Sequence, residues 1–317
     1  MNFLHYRAAP LGRPLFFRAL AFLRSPRSAI ALAALASTVL LAEAPRSNSN
    51  YRWLSADQYS PQTTIAARFP APAGTARVPA ARGSFAAWLR SLPVHPGRPP
   101  VLLHTGAPRP EQSAHAAVIQ IDPGRRDLQQ CADALMRLRA EYLYSRREFT
   151  RIRFNFTDGV PALYSRWRAG ERPLVRNGQK TRWRPKTKPA TGYTSFRAYL
   201  NQVFTYAGTY SLSRESKRRA WSEVQIGDFL LQGGFPGHGV MIVDLARSTR
   251  DPNIVYALLA QSYMPAQSVH VLRNPAGRDD ANGAWYRWDL RELENNRRAR
   301  SEVATILAPD WKFYAAD

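Results

Sequence analysis

The stretch Asp127-Leu-Gln-Gln-Cys-Ala-Asp-Ala-Leu-Met-Arg-Leu-Arg-Ala-Glu-Tyr-Leu-Tyr144, together with the chain downstream of it, decides the fold class. Apolar side chains at 128, 131, 132, 135, 138, 142 and 143 recur at 3.6-residue spacing, which marks a helix with one face in a core. Asp127 is a suitable N-cap, and Gln130 stands three residues on, as in a capping box. Ser195 to Ala207 reads as a second helix, with Phe196, Tyr199, Leu200, Val203 and Phe204 on one face. The character then changes. Val224 to Leu231, His238 to Leu245, Ile254 to Gln261 and Ser268 to Leu272 read as strands. The first two are joined by the hairpin-type turn Gly233-Gly-Phe-Pro-Gly237. Helices followed by consecutive strands predict an α+β domain, its N-terminal helices packed on a C-terminal antiparallel sheet.

Upstream, Ser84-Phe-Ala-Ala-Trp-Leu-Arg90 reads as a short helix capped by Ser84. Val101 to His104, His115 to Ile121 and Ile152 to Phe156 read as short strands. Residues 164–192, basic and Trp-rich with weak periodicity, read as a long loop. Pro, Ala, Ser and Arg dominate residues 45–80, which read as an extended linker. The single domain is therefore expected at 81–317.

The first 29 residues carry five arginines and no acid, and an apolar run extends from Ile30 to Ala42. A basic head, a short apolar centre and small residues at the exit match an export signal over residues 1–44. The run has 13 residues, short of the roughly 20 that span a bilayer as a helix. Pro45 directly succeeds the candidate cleavage point Ala42-Glu-Ala44, so an uncleaved N-terminal anchor stays open. The protein is expected in the periplasm or secreted, with any membrane contact made by residues 30–44 alone. No later segment is long and apolar enough to cross a membrane.

The net charge is +22, from 45 Lys plus Arg against 23 acids. Such an excess draws a protein toward anionic polymers and lipids. Yet 40 of the 45 cations are Arg, the bias of a GC-rich coding sequence. No nucleic-acid module is present, so nucleic acid is not an expected partner. His104, His115 and His270 do not pair with Cys or acids at metal-ligand spacing, and neither a metal nor another cofactor is expected.

Cys131 is the only cysteine, so no intramolecular disulfide can form. Near a helix N-terminus, amides and the helix dipole favour a thiolate; on the apolar face, the same residue reads as an inert core thiol. His238 opens a strand directly after a glycine-rich turn and is the candidate base. Gln261, on the next strand, is placed to orient it, with Asp244 as a rival. Thiol, imidazole and orienting group form the set used in acyl transfer. Around them, Gln261-Ser-Tyr-Met-Pro-Ala-Gln267 reads as a substrate-binding loop presenting Ser262, Tyr263 and Gln267, or as a structural corner. Asp127 and Gln130 are caps that also stand where a substrate or an oxyanion would bind.

The order of parts, a Cys at a helix start, Gly227-Asp228 opening a strand, Gly237-His238 opening the next and a polar residue on a third, resembles the papain-like NlpC/P60 and CHAP amidases. Those are cell-wall cysteine hydrolases. The resemblance covers roughly residues 125–272. It implies a papain-like fold with Cys131 as nucleophile, His238 as base and Gln261 as orienter. A second resemblance, over most of residues 84–314, is to the bacterial family DUF4846. It rests on Arg126-Asp-Leu-Gln-Gln-Cys-Ala-Asp-Ala134, Arg137-Leu-Arg-Ala-Glu-Tyr142, Tyr206-Ala-Gly-Thr209, Gly233-Gly-Phe-Pro-Gly-His238 and Gln261-Ser-Tyr-Met-Pro-Ala-Gln267. It implies an exported protein and no defined activity. The expected function is an exported cysteine hydrolase or transferase acting on an amide bond, such as one in cell-wall peptide. The alternative is a non-catalytic envelope protein that binds peptidoglycan or another anionic polymer.

Overall fold

The computed structural model describes residues 48, 50–176, 179–185, 188–277, 283–299 and 312–314. The chain divides into two units, 1–43 and 44–317, and the described residues all belong to the second. The export signal expected at 1–44 lies outside the described residues. Among the described residues no helix is long and apolar enough to cross a membrane.

The elements run α1 (Ile65–Arg68), β1 (Thr75–Arg77), α2 (Phe85–Arg90), β2 (His115–Val118), α3 (Cys131–Ser145), β3 (Arg153–Asn155), β4 (Pro161–Leu163), α4 (Tyr164–Arg168), β5 (Arg172–Arg176) and β6 (Gln179–Arg184). Next come α5 (Tyr193–Tyr206), α6 (Thr209–Glu215), β7 (Phe229–Gln232), β8 (His238–Ser248), β9 (Ile254–Gln261), β10 (His270–Leu272), β11 (Tyr286–Asp289), α7 (Leu290–Ala299) and β12 (Lys312–Tyr314). The main sheet has the order β12-β7-β8-β9-β10-β2, with β1 also pairing β8 and β11 also pairing β9. Every named pairing in it is antiparallel. The protein is α+β, its helices packed on a mainly antiparallel sheet.

Helix α3 is the central helix. It starts at Cys131, later than Asp127 as N-cap implies, because Gln130 is the cap and the Asp133 carboxylate accepts the Gln130 amide at 3.1 Å. Nearly every side chain along it is buried, Arg137 and Glu141 included. Arg137 is sealed and pairs with Asp122 at 2.8 Å and with Glu141 at 3.3 Å. The Tyr193 hydroxyl donates to Glu141 at 2.7 Å. A buried charge persists only when paired and hydrogen-bonded, so this network fixes how the chain between Asp122 and Cys131 enters the helix.

Residues 50–80 of the expected linker are not extended. Tyr51, Ile65 and Phe69 are buried in the core, β1 pairs with β8, and Trp285 Nε1 donates to the Pro70 carbonyl at 2.9 Å. The composition misleads because the apolar residues here enter the core one at a time, with no periodic pattern. Asp244, the rival orienter, is fully buried and ion-paired with Arg77 and Arg90 at 2.8 and 2.7 Å. It holds the N-terminal segment to the sheet.

Residues 164–192 are likewise not a long loop but α4 followed by the β5–β6 hairpin. Arginine–indole stacking replaces an apolar period: Arg172 lies over Trp167 at 3.8 Å and Arg166 over Trp183 at 4.8 Å. Val101 to His104 forms isolated bridges rather than a strand.

Candidate functional site

Helix α3 places Cys131 at its first position, against the start of β8. The thiol meets the amides of Ala132 and Gly239. Glycine at 239 permits this close approach: a Cβ there would stand 2.8 Å from Leu135 Cδ1 on the helix. Cys131 is 9% exposed and lines a cleft of about 390 Å³, within the range of small-ligand sites. Other walls of this cleft are Asp127, Gln130, Thr209, Phe235 and Met264. Burial pushes the Cys131 thiol up from its ordinary pKa, and nearby Asp133 adds to this. The amides of Ala132 and Gly239 pull the other way without prevailing. The lowered pKa expected of a helix-start thiol is therefore not found. Desolvation outweighs the dipole.

His238 opens β8, and its Nε2 donates to Gln261 Oε1 at 2.7 Å. The two side chains expected to lie beside each other are thus in contact. Burial lowers the His238 pKa, against a smaller raising effect of Gln261, so the ring is neutral at neutral pH. Tyr263 packs edge-on over it, with centroids 5.1 Å apart. His238 is not among the cleft's walls. Alternation along β8 turns it away from the face on which Gly239 meets Leu135. Thiol and imidazole therefore stand on the two sides of the β8 backbone at its first residues.

The remaining expected residues divide. Asp127 is a tie: its Oδ1 accepts the Ala266 amide at 2.7 Å and Gln130 Nε2 at 3.0 Å. The Gln130 side-chain amide is thereby occupied by Asp127. Ser262 is sealed, and its hydroxyl bonds the carbonyls of Gln129 at 3.1 Å and Gln267 at 2.9 Å. Gln267 is also sealed. Neither touches solvent, so the loop presents Tyr263, 44% exposed, and Met264, 60% exposed, instead. The Ser262 hydroxyl holds the corner, whose backbone leaves β9 and needs partners for its carbonyls.

Sequence reasoning missed two residues here. Asp133 lines the cleft beside Cys131, and burial raises its carboxyl to about 8 despite the amides of Gln130 and its own residue. His270 faces Gln261 directly across β9 and β10. The near-symmetry of the two strands about the 262–269 loop is the signal that could have found it. Among the described residues no cluster of three or more His, Cys, Asp and Glu stands where it could hold a metal ion.

Fold and site together define an α+β protein with a helix-start cysteine on one side of an antiparallel strand and a histidine–glutamine pair on the other. The chain belongs to the DUF4846 family, described as a domain of unknown function (4846), whose model matches residues 65–317. No curated protein and no solved structure matches it.

Proposed function

We propose that this chain is an exported cysteine hydrolase or transferase acting on an amide bond, with cell-wall peptide as its substrate class. The observation that carries the reading is the 2.7 Å bond from His238 to Gln261, one residue before the amide that meets the Cys131 thiol. Catalytic contacts are often loose in a free enzyme and tighten on substrate; the reading requires the start of β8 to shift on substrate binding so that the imidazole comes round to the thiol's side of the strand. Cys131 Sγ attacks the amide carbonyl carbon and forms an S–C bond, while its proton passes to His238. Backbone N–H groups at the start of α3 hold the oxyanion. The C–N bond then breaks as His238 returns the proton to the leaving amine. Water, or an acceptor amine in a transferase, attacks the thioester and regenerates the thiol. The helix-borne cysteine and antiparallel sheet support a papain-like arrangement of the NlpC/P60 type. The basic head and apolar run of the first 44 residues support a periplasmic or secreted site of action.

A second reading, a non-catalytic envelope protein that binds peptidoglycan or another anionic polymer, draws support from the buried thiol with its raised pKa. Incubation with purified cell-wall peptides, followed by labelling of new amino groups, separates the two. Release by the wild type and not by Cys131→Ala or His238→Ala supports the hydrolase. Retention of the protein on the polymer, with no new amines, overturns it.

A further inference from the structure

His270 is sealed inside the sheet at 0% exposure, one strand beyond Gln261. Its Nδ1 lies 2.9 Å from the Ser268 carbonyl oxygen. A carbonyl only accepts, so Nδ1 carries the hydrogen. Burial keeps the ring neutral, with its pKa lowered to about 4. A neutral ring with hydrogen on Nδ1 has a lone pair on Nε2, which accepts. The Gln261 side chain lies 3.4 Å from that Nε2. It must turn its NH2 toward His270 and its Oε1 away. That oxygen, 2.7 Å from His238 Nε2, accepts a hydrogen from it. His238 therefore carries its hydrogen on Nε2, and its Nδ1 is unprotonated. The direction of the whole chain is set at one end, by the Ser268 carbonyl. It does not depend on telling amide oxygen from nitrogen by position.

We propose that His270 is a positioning residue which, through the Gln261 amide, holds His238 in the tautomer that presents an unprotonated Nδ1 as the base. This deepens the cysteine-hydrolase reading and rests on it for the role of His238; the hydrogen-bond direction stands separately. An amide facing a neutral ring alone has two orientations to choose from, since the ring offers a donor in one tautomer and an acceptor in the other. His270 removes that choice. Its own ring is fixed by Ser268 and by the edge-on ring of His115, at a centroid distance of 6.3 Å.

The test is nitrogen-15 NMR of histidine-labelled protein near pH 7, on the wild type, His270→Phe and His270→Gln. Phe removes the acceptor. Gln places an oxygen where it takes the same hydrogen. In the wild type, His270 shows hydrogen on Nδ1 and His238 on Nε2. In His270→Phe the His238 signals become those of mixed tautomers, and His270→Gln restores them. The rate of Cys131 alkylation falls roughly twofold or more in His270→Phe, in proportion to the fraction of molecules in the competent tautomer. A wild-type His238 protonated on Nδ1 overturns the proposal whether or not either variant folds. So does a His238 tautomer unchanged in folded His270→Phe. If the tautomers are as stated but Cys131 labels slowly and independently of His238, the hydrolase reading fails and the hydrogen-bond chain stands. If labelling depends on His238 but the tautomers are reversed, the hydrolase stands and the role of His270 fails.

Discussion

Asp127 Oδ1 accepts the Ala266 amide at 2.7 Å, across 139 residues of sequence. This one bond joins the approach to α3 with the corner after β9, so it keeps the cysteine and the Tyr263 loop in register. Burial opposes the ionised carboxylate, but the Ala266 amide and Gln130 hold its pKa below the usual range. Asp127→Ala is expected to cost about 1 kcal/mol, the worth of a partly exposed hydrogen bond. It also frees the Gln130 side chain. Urea denaturation measures the loss, and proteolysis at the 262–267 loop measures its loosening. An unchanged midpoint and cleavage rate contradict the tie.

Asp244 gives a larger effect, because it is fully buried between two arginines. Asp244→Ala leaves Arg77 and Arg90 without their shared partner and is expected to destabilise the domain on the order of 3 kcal/mol. That corresponds to a Tm lower by roughly 10 °C. A chain starting at residue 81 loses β1 and is expected to unfold without cooperativity, whereas one starting at residue 45 unfolds sharply. Thermal melts followed by circular dichroism compare the two.

His270 makes stability depend on pH. Its folded pKa of about 4 lies below the ordinary 6.5. The stability it contributes is therefore present above pH 6.5 and is lost as pH falls through 4. The loss is about 3 kcal/mol at 1.4 kcal/mol per unit. The charged and titratable groups acting on it are Arg109, His115 and His238, all of which oppose its protonation. His270→Phe is expected to flatten the stability curve between pH 6.5 and 4. A wild-type curve already flat there contradicts a buried neutral ring.

Asp133 has the opposite sign. Its carboxyl is raised to about 8, so the stability it contributes is present below pH 4 and is lost as pH rises through 8. Asp133→Asn keeps an oxygen for the Gln130 amide and has no charge to desolvate. It is expected to gain a few kcal/mol on the wild type between pH 4 and pH 9. It also removes the negative charge that raises the Cys131 pKa, so alkaline labelling of the thiol begins at lower pH. Parallel stability curves for the two proteins contradict this.

The sheet and the long helices were legible because each buries a periodic face. β8 and β9 carry long apolar runs bounded by turn residues, and α5 keeps Phe196, Tyr199, Leu200, Val203 and Phe204 buried as its spacing requires. The His238–Gln261 pair was legible too, since strand register brings two polar strand-end residues together. The N-terminal segment was not, because Tyr51, Ile65 and Phe69 are single anchors in polar surroundings. Nor was the start of α3: Asp127 has a cap's chemistry but bonds Ala266, a partner no local pattern reveals. Ser262 and Gln267 look like ligand-binding groups in sequence, yet corner geometry turns both inward, where the Ser262 hydroxyl bonds the Gln129 and Gln267 carbonyls. His270 reads in sequence as a lone histidine, and only its cross-strand neighbour gives it meaning.

Activation of Cys131 by His238 shows itself in the rate of alkylation by iodoacetamide from pH 5 to 9. Native wild type is predicted to label fast, with a rate that climbs as His238 loses its proton, at a midpoint below the ordinary imidazole value. His238→Ala is predicted to label only in the alkaline range, where the buried thiol ionises by itself. Slow labelling in both proteins, or labelling only after unfolding, contradicts the account and leaves Cys131 a structural thiol.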